Sequence, residues 1–286
     1  MEKAQDRLEV LEKIREYEKN GWFDRDVEND PPTRPLRPGE ADFVGKKLSS
    51  RIATRFANRM AYRYFEGCLQ KGEFLIDGIE GAEHFLAVKD AGAMITANHF
   101  SVFDNFAVYK AIAPHMDGRD LYKVIREGNF TSFPGKYGFF FRHCNTLPLG
   151  SSLTTLREMM DGVATLLGRG EKILIYPEQG MWWNYRKPRP MKLGAFQLAA
   201  KNNVPILPIF LTQRDTDRLG HDGFPVQALT VHILPPITPD PALSHRENAR
   251  KMAEENYRLW TETYERVYGI PLSYTTEGKA VEPCSI

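Results

Sequence analysis

From Lys71 onward, short apolar runs alternate with stretches whose apolar residues recur every three or four positions, and no other feature restricts the fold as much. The runs at 74–79, 93–97, 122–125, 172–176, 206–211 and 229–234 read as strands. The intervening patterns at 101–112, 153–167, 193–202 and 244–268 read as helices. The last opens on Ser244-His245-Arg246-Glu247, the spacing at which a serine and a glutamate satisfy each other's free backbone amides. Strands and helices in alternation predict an α/β protein, a layered mixed sheet flanked by helices.

Ahead of this core the sequence predicts an N-terminal helical extension. Residues 4–19 form a charged helical pattern with Leu8, Leu11, Ile14 and Tyr17 on one face. Asn29-Asp30-Pro31-Pro32-Thr33 breaks it, and a proline-spaced linker comes next. The expected organisation is a charged helix and linker over 1–43, a basic amphipathic helix over 44–70, the main domain over 71–272 and a tail over 273–286, loose from Thr275. In the second helix Val44, Leu48, Ile52, Phe56, Met60 and Tyr64 recur every four residues. Lys46, Lys47, Arg51, Arg55, Arg59 and Arg63 carry its charge, opposed by Glu66. Such a helix either lies in a lipid headgroup layer or covers the domain as a solvated helix.

Charge and cysteine usage narrow the class. The 38 basic and 37 acidic residues leave a net charge of +1, which argues against a nucleic-acid binder with a global positive field. Cys68, Cys144 and Cys284 are far apart and lack metal spacing, so a reducing compartment without a disulfide framework is expected. Neither a membrane-spanning run nor the apolar core of a signal peptide is visible, so membrane contact is expected to be peripheral.

The chemistry-bearing stretch is Asn98-His99-Phe100-Ser101-Val102-Phe103-Asp104, between an expected strand and an expected helix. Strand ends that feed helices are where α/β proteins place ligands. A histidine and an aspartate with four residues between them suit a general base and its orienting carboxylate, or equally a capped turn. Further along come Ile175-Tyr176-Pro177-Glu178-Gln179-Gly180, then Lys192-Leu193-Gly194-Ala195-Phe196, then Val204-Pro205-Ile206-Leu207-Pro208.

Taken in this order, the segments resemble the PlsC-like glycerolipid acyltransferase superfamily, the lysophosphatidic acid acyltransferase type. Asn98, His99 and Asp104 match its N-H-x-x-x-x-D block. Tyr176, Pro177 and Glu178 match the start of F-P-E-G-T-R-S, and Lys192, Gly194 and Ala195 match K-x-G-A. Val204, Pro205, Ile206 and Pro208 match V-P-I-x-P. The resemblance covers roughly residues 70 to 240. It departs where Gln179-Gly180-Met181-Trp182 replaces Gly-Thr-Arg, removing an arginine associated with the acceptor phosphate, and where Gly138-Phe139-Phe140-Phe141-Arg142 only loosely fits the second block.

The resemblance implies a glycerol-3-phosphate acyltransferase-like fold and a transferase of phospholipid biosynthesis. It would move a fatty acyl group from acyl-CoA or acyl-ACP to the hydroxyl of a lysophospholipid, foremost 1-acyl-glycerol-3-phosphate. His99 would be the general base and Asp104 its orienting acid. Glu178, Gln179, Gly180, Arg142, Arg126, Arg186 and Lys192 would bind substrate, the cations standing in for the missing arginine. Backbone amides near the helix start after His99 would stabilise the oxyanion. No metal or resident cofactor is expected, and the partners are the lysolipid, the acyl donor and a membrane surface, not nucleic acid. The expected place is the cytoplasm, at the inner face of the cell membrane. Rival readings are a thioesterase or lipid hydrolase, an acyltransferase for a non-phosphate amphiphile such as an aminolipid, and a non-catalytic membrane-binding protein. Two local readings accompany these: Phe139, Phe140 and Phe141 as a buried strand, and Trp182, Trp183 and Tyr185 as either an interfacial cluster or core.

Overall fold

The computed structural model describes residues 3–29, 32–277 and 281–285. Its elements run in the order α1 (Gln5–Asn20), α2 (Leu48–Lys71), β1 (Leu75–Glu80), α3 (Ala82–Leu86), β2 (Ala93–Thr96), α4 (Asp104–Ile112), β3 (Leu121–Arg126), α5 (Glu127–Ser132), α6 (Gly135–His143) and β4 (Thr146–Leu149). They continue with α7 (Leu153–Gly168), β5 (Lys172–Ile175), β6 (Met191–Lys192), α8 (Gly194–Lys201), β7 (Ile206–Leu219), β8 (Pro225–Ile233), α9 (His245–Tyr268) and β9 (Cys284–Ser285). Among the described residues seven strands form one sheet in the order β1-β8-β7-β2-β5-β3-β4. Strands β7, β2, β5, β3 and β4 run parallel, while β8 turns back against β7 and carries β1 alongside it.

Alternation along each strand sends side chains into two cores, as a sheet covered on both faces requires. Met94, Ile173, Ile206 and Phe210 pack under α7, α8 and α9 with Val163, Phe196, Met252 and Trp260. Ala93, Ile95, Leu174, Leu207 and Leu211 pack on the other side with Phe74, Phe85, Phe106 and Ile112. The α/β layered architecture expected from the alternation is the one observed. Ser244 and Glu247 form the expected capping box at the start of α9.

Three local expectations are corrected. Phe139, Phe140 and Phe141 lie in helix α6, not in a strand. The strand of that region is β4, where Thr146-Leu147-Pro148-Leu149 takes an edge position that tolerates proline. Strand β7 runs well past Leu211, because its polar second half continues the ladder with β8. The tail is docked rather than loose in its described residues, 278–280 and 286 lying outside them. Thr275 N–H donates to Glu18 at 2.8 Å, Glu277 N–H to Lys19 O at 3.2 Å, and Cys284–Ser285 pairs with Met191–Lys192.

The N-terminal segment packs over the carboxyl edge of the parallel strands. Val10, Ile14, Phe23 and Val27 bury against Trp182, while Leu36 and Phe43 join the core under α7. Asp30 and Pro31, part of the expected break, lie outside the described residues. Helix α2 starts at Leu48 and turns Ala57 and Cys68 inward, leaving Leu48, Ile52, Phe56 and Met60 exposed. Trp182 is fully buried, so of its two readings the core one holds.

Candidate active site

Strand β2 ends at Thr96, and Asn98 pins the chain just beyond it. The Asn98 amide oxygen accepts from Leu211 N–H at 2.8 Å and its amide N–H donates to Leu211 O at 3.0 Å, so the side chain extends the pairing with β7 where the strand stops. His99 therefore leaves the sheet at a fixed point of its carboxyl edge. Five residues on, Asp104 opens α4, where a carboxylate is favoured by the helix dipole. Its Oδ2 accepts from Phe100 N–H and Ser101 N–H, each at 3.2 Å, and this closes the loop on itself.

The same oxygen lies 2.7 Å from His99 Nδ1. Asp104 is fully buried, whereas the imidazole is 22% exposed. Tyr176 holds the pair from the side: its hydroxyl donates to Asp104 Oδ1 at 2.7 Å and its ring stacks on the imidazole with centroids 4.0 Å apart. Burial, then the adjacent Asp104 carboxylate, push the Tyr176 phenol well above its ordinary range, so it stays a donor. A carboxylate on Nδ1 fixes the tautomer that leaves Nε2 able to accept a proton. Nε2 has no protein partner among the described residues.

Glu178 sits in the turn after β5, where Tyr176 O accepts from Gln179 N–H at 3.0 Å with Pro177 at the first corner. Its carboxylate is buried and its bonds all go to protein donors. Oε2 accepts from His99 N–H and from Arg189 Nη2, both at 3.2 Å, and Oε1 accepts from Arg189 N–H at 2.7 Å. Trp182 N–H then donates to His99 O at 3.0 Å, so residues 178–182 clasp the His99 backbone from both ends. Burial raises the Glu178 carboxyl, opposed by Arg189 and the two backbone donors, and burial lowers the Arg189 guanidinium.

Arg126 ends β3, and the pairing of Lys123 with Leu174 carries it level with Pro177. It forms a two-pronged ion pair with Asp26. Gly180 lies beneath that pair, with no room for a Cβ before Asp26. Lys192 faces Asp24 at 3.5 Å, and Gln179 is exposed with φ 67°. The other expected substrate residues are engaged elsewhere. Arg142 is exposed at the end of α6, its guanidinium 3.4 Å from Phe133 O, and Arg186 pairs with Asp215 of β7 at 2.7 Å. The amides expected to serve an oxyanion are mostly committed. Those of Phe100 and Ser101 bond Asp104, and those of Phe103 and Asp104 bond Ser101, which leaves Val102 N–H.

Tyr176, Asp26 and the part Arg189 plays beside Glu178 escaped the sequence. Tyr176 stood inside a recognised block. Arg189 lies eleven positions after Glu178 through an irregular segment, and Asp26 reaches Arg126 across a hundred residues, so neither has a spacing that announces it.

Residues 78–212 match the model of the family described as Acyltransferase. Among solved structures the chain is similar to the 1-acyl-sn-glycerophosphate acyltransferase PlsC from Thermotoga maritima, with 19% identity, 80% of this chain and 86% of that chain covered, and a TM-score of 0.52. No curated protein matches the sequence. The family match runs from the end of β1 to the middle of β7, including His99, Asp104 and Glu178, while α1, α2 and Asp26 lie outside it. Over residues 78–212 the chain thus matches the Acyltransferase family model, and its fold is similar to that of PlsC.

Proposed function

We propose that the chain transfers an acyl group from an acyl thioester, acyl-CoA or acyl-ACP, to the hydroxyl of a lysolipid, with His99 as general base and Asp104 as its orienting acid. The observation that carries this reading is a partly exposed imidazole with Nδ1 on a buried carboxylate and Nε2 unengaged. In the reaction the acceptor O–H yields its proton to Nε2 as its oxygen attacks the thioester carbonyl carbon. Collapse of the tetrahedral intermediate breaks the C–S bond, and the imidazolium returns the proton to the leaving sulfur. Val102 N–H is the amide of this loop available to the oxyanion. Glu178 and Arg189 act through the His99 backbone, as positioning residues.

A lysolipid acceptor resides in a bilayer, and α2 suits docking there. Leu48, Ile52 and Phe56 are exposed, and Arg51, Arg55, Arg59 and Arg63 beside them form no ion pair among the described residues. No helix of the described residues is long and apolar enough to cross a membrane. Exposed apolar area and cationic side chains together favour an anionic lipid surface, which supports reading the protein as a peripheral membrane enzyme.

The test is thiol release from a long-chain acyl thioester with a panel of lysolipids that includes 1-acylglycerol 3-phosphate, read together with mass spectrometry of the lipid product. The expected result is acceptor-dependent release and a diacyl product, both lost in His99→Ala. Free fatty acid formed at the same rate with and without acceptor would show a hydrolase instead.

A further inference from the structure

The N-terminal segment lays a carboxylate on Arg126, the cation that ends β3. Arg126 Nη1 lies 2.7 Å from Asp26 Oδ2, and Nη2 contacts Oδ1. The pair rests on Gly180, midway along the 178–182 clasp on His99. Both side chains remain partly exposed, 41% for Arg126 and 47% for Asp26, so a headgroup approaching this edge of the sheet would meet them. An ion pair this open contributes little to folding, which points to another reason for its place.

Asp26 does not ride on a free flap. Phe23 and Val27 on either side of it are buried. Phe23 stacks on Trp182 at 5.8 Å, Trp182 Nε1–H donates to Arg25 O at 3.0 Å, and Arg189 donates to Phe23 O at 3.2 Å. This packing fixes the Asp26 backbone beside Arg126 and keeps its carboxylate within reach of the guanidinium. The cation next in line, Lys192, is likewise faced by a carboxylate of the same segment, Asp24.

We propose that Asp26 is a specificity-determining residue: it occupies Arg126 where an acceptor anion would bind, so the site selects lysolipids without a phosphomonoester. This rests on the acyl-transfer reading. A phosphomonoester would seek the same guanidinium fork, and it would have to displace a carboxylate tethered at high effective concentration. Its charge would also be repelled by that carboxylate. A headgroup without that charge avoids both costs.

The full chain is assayed with 1-acylglycerol and 1-acylglycerol 3-phosphate of one acyl chain, as wild type, Asp26→Asn and Asp26→Glu. The wild type is expected to favour 1-acylglycerol. Asp26→Asn should raise relative kcat/KM for the phosphate at least tenfold, through KM, and Asp26→Glu should restore the wild-type ratio. A wild-type preference for the phosphate, or equal ratios in wild type and Asp26→Asn, would overturn the proposal. Calorimetric titration with glycerol 3-phosphate decides the same point without turnover: at least tenfold tighter binding to Asp26→Asn supports it, and equal binding refutes it. Should neither acceptor be acylated by any form, the acyl-transfer reading falls while the titration still rules on Asp26. If Asp26→Asn does not fold, inhibition of wild-type 1-acylglycerol turnover by glycerol 3-phosphate decides. Weak inhibition supports the proposal, and inhibition at acceptor-like concentrations overturns it.

Discussion

Two histidines in this molecule set Nδ1 against a carboxylate at nearly the same distance, His99 on Asp104 at 2.7 Å and His232 on Glu80 at 2.8 Å. Everything else about them is reversed. At His99 the acid is fully buried and the ring 22% exposed; at His232 the ring is 2% exposed and the acid 54%. The second nitrogen differs most. His232 Nε2 lies 2.9 Å from Thr212 Oγ1 inside the β7–β8 ladder, whereas His99 Nε2 has no protein partner among the described residues. A histidine–carboxylate distance thus says little about chemistry. A dry acid behind a ring with an open nitrogen can take a proton from a ligand; a ring tied at both ends in a sheet holds strands together.

This contrast is open to direct attack. The largest effect is expected from His99→Ala, which should lower acceptor-dependent turnover by about a hundredfold to ten-thousandfold while the thermal midpoint stays close to that of the parent. His232→Gln should leave turnover within about twofold, since nothing beyond its hydrogen bonds changes. Equal losses in both variants would abolish the distinction. Next comes the clasp behind His99: Arg189→Met leaves the buried Glu178 carboxylate unpaired, and should cost about 3–5 kcal/mol in urea unfolding. Asp104→Asn, by comparison, should show in turnover, with a loss of about a hundredfold. A fully stable Arg189→Met would remove the positioning role.

Membrane docking is expected to respond more moderately. Arg55→Glu with Arg59→Glu should weaken binding to anionic vesicles by about 2 kcal/mol or more, at about 1 kcal/mol per basic side chain. Unfolding should be unaffected, because both residues are exposed; vesicle sedimentation reads the difference. The smallest effect is a pH slope. Burial holds His232 below the ordinary histidine range, with Glu80 opposing it. The unfolded chain then binds the proton first as pH falls below about 6.5, so stability present above that pH is lost on acidification through the native pKa. The change in urea midpoint between pH 7.5 and pH 5 should shrink in His232→Gln.

Local signals made much of the fold and one half of the site legible. The order of apolar runs and helical patterns reflects burial on two faces of a parallel sheet, and it placed His99 at a strand end and Asp104 at a helix start. The errors arose where pattern and context diverge. Three phenylalanines read as strand but sit in α6, because consecutive aromatics carry no period and Gly138 closes against Phe133 O. The tail read as loose because its anchors, Glu18 and β6, are far away in sequence. Arg142 and Arg186 carried the right charge for an acceptor site, but Phe133 O and Asp215 engage them elsewhere.

The order of elements and the pairing of His99 with Asp104 are sequence properties, since a strand end, seven residues of loop and a helix start leave those two side chains little freedom to miss each other. Which carboxylate braces the His99 backbone, and which one sits on Arg126, were decided only by tertiary packing. Glu178 meets Arg189 because the irregular 179–188 segment folds back, and Asp26 meets Arg126 because the N-terminal segment buries Phe23 and Val27 against Trp182. Long-range burial is non-directional and leaves no spacing behind it.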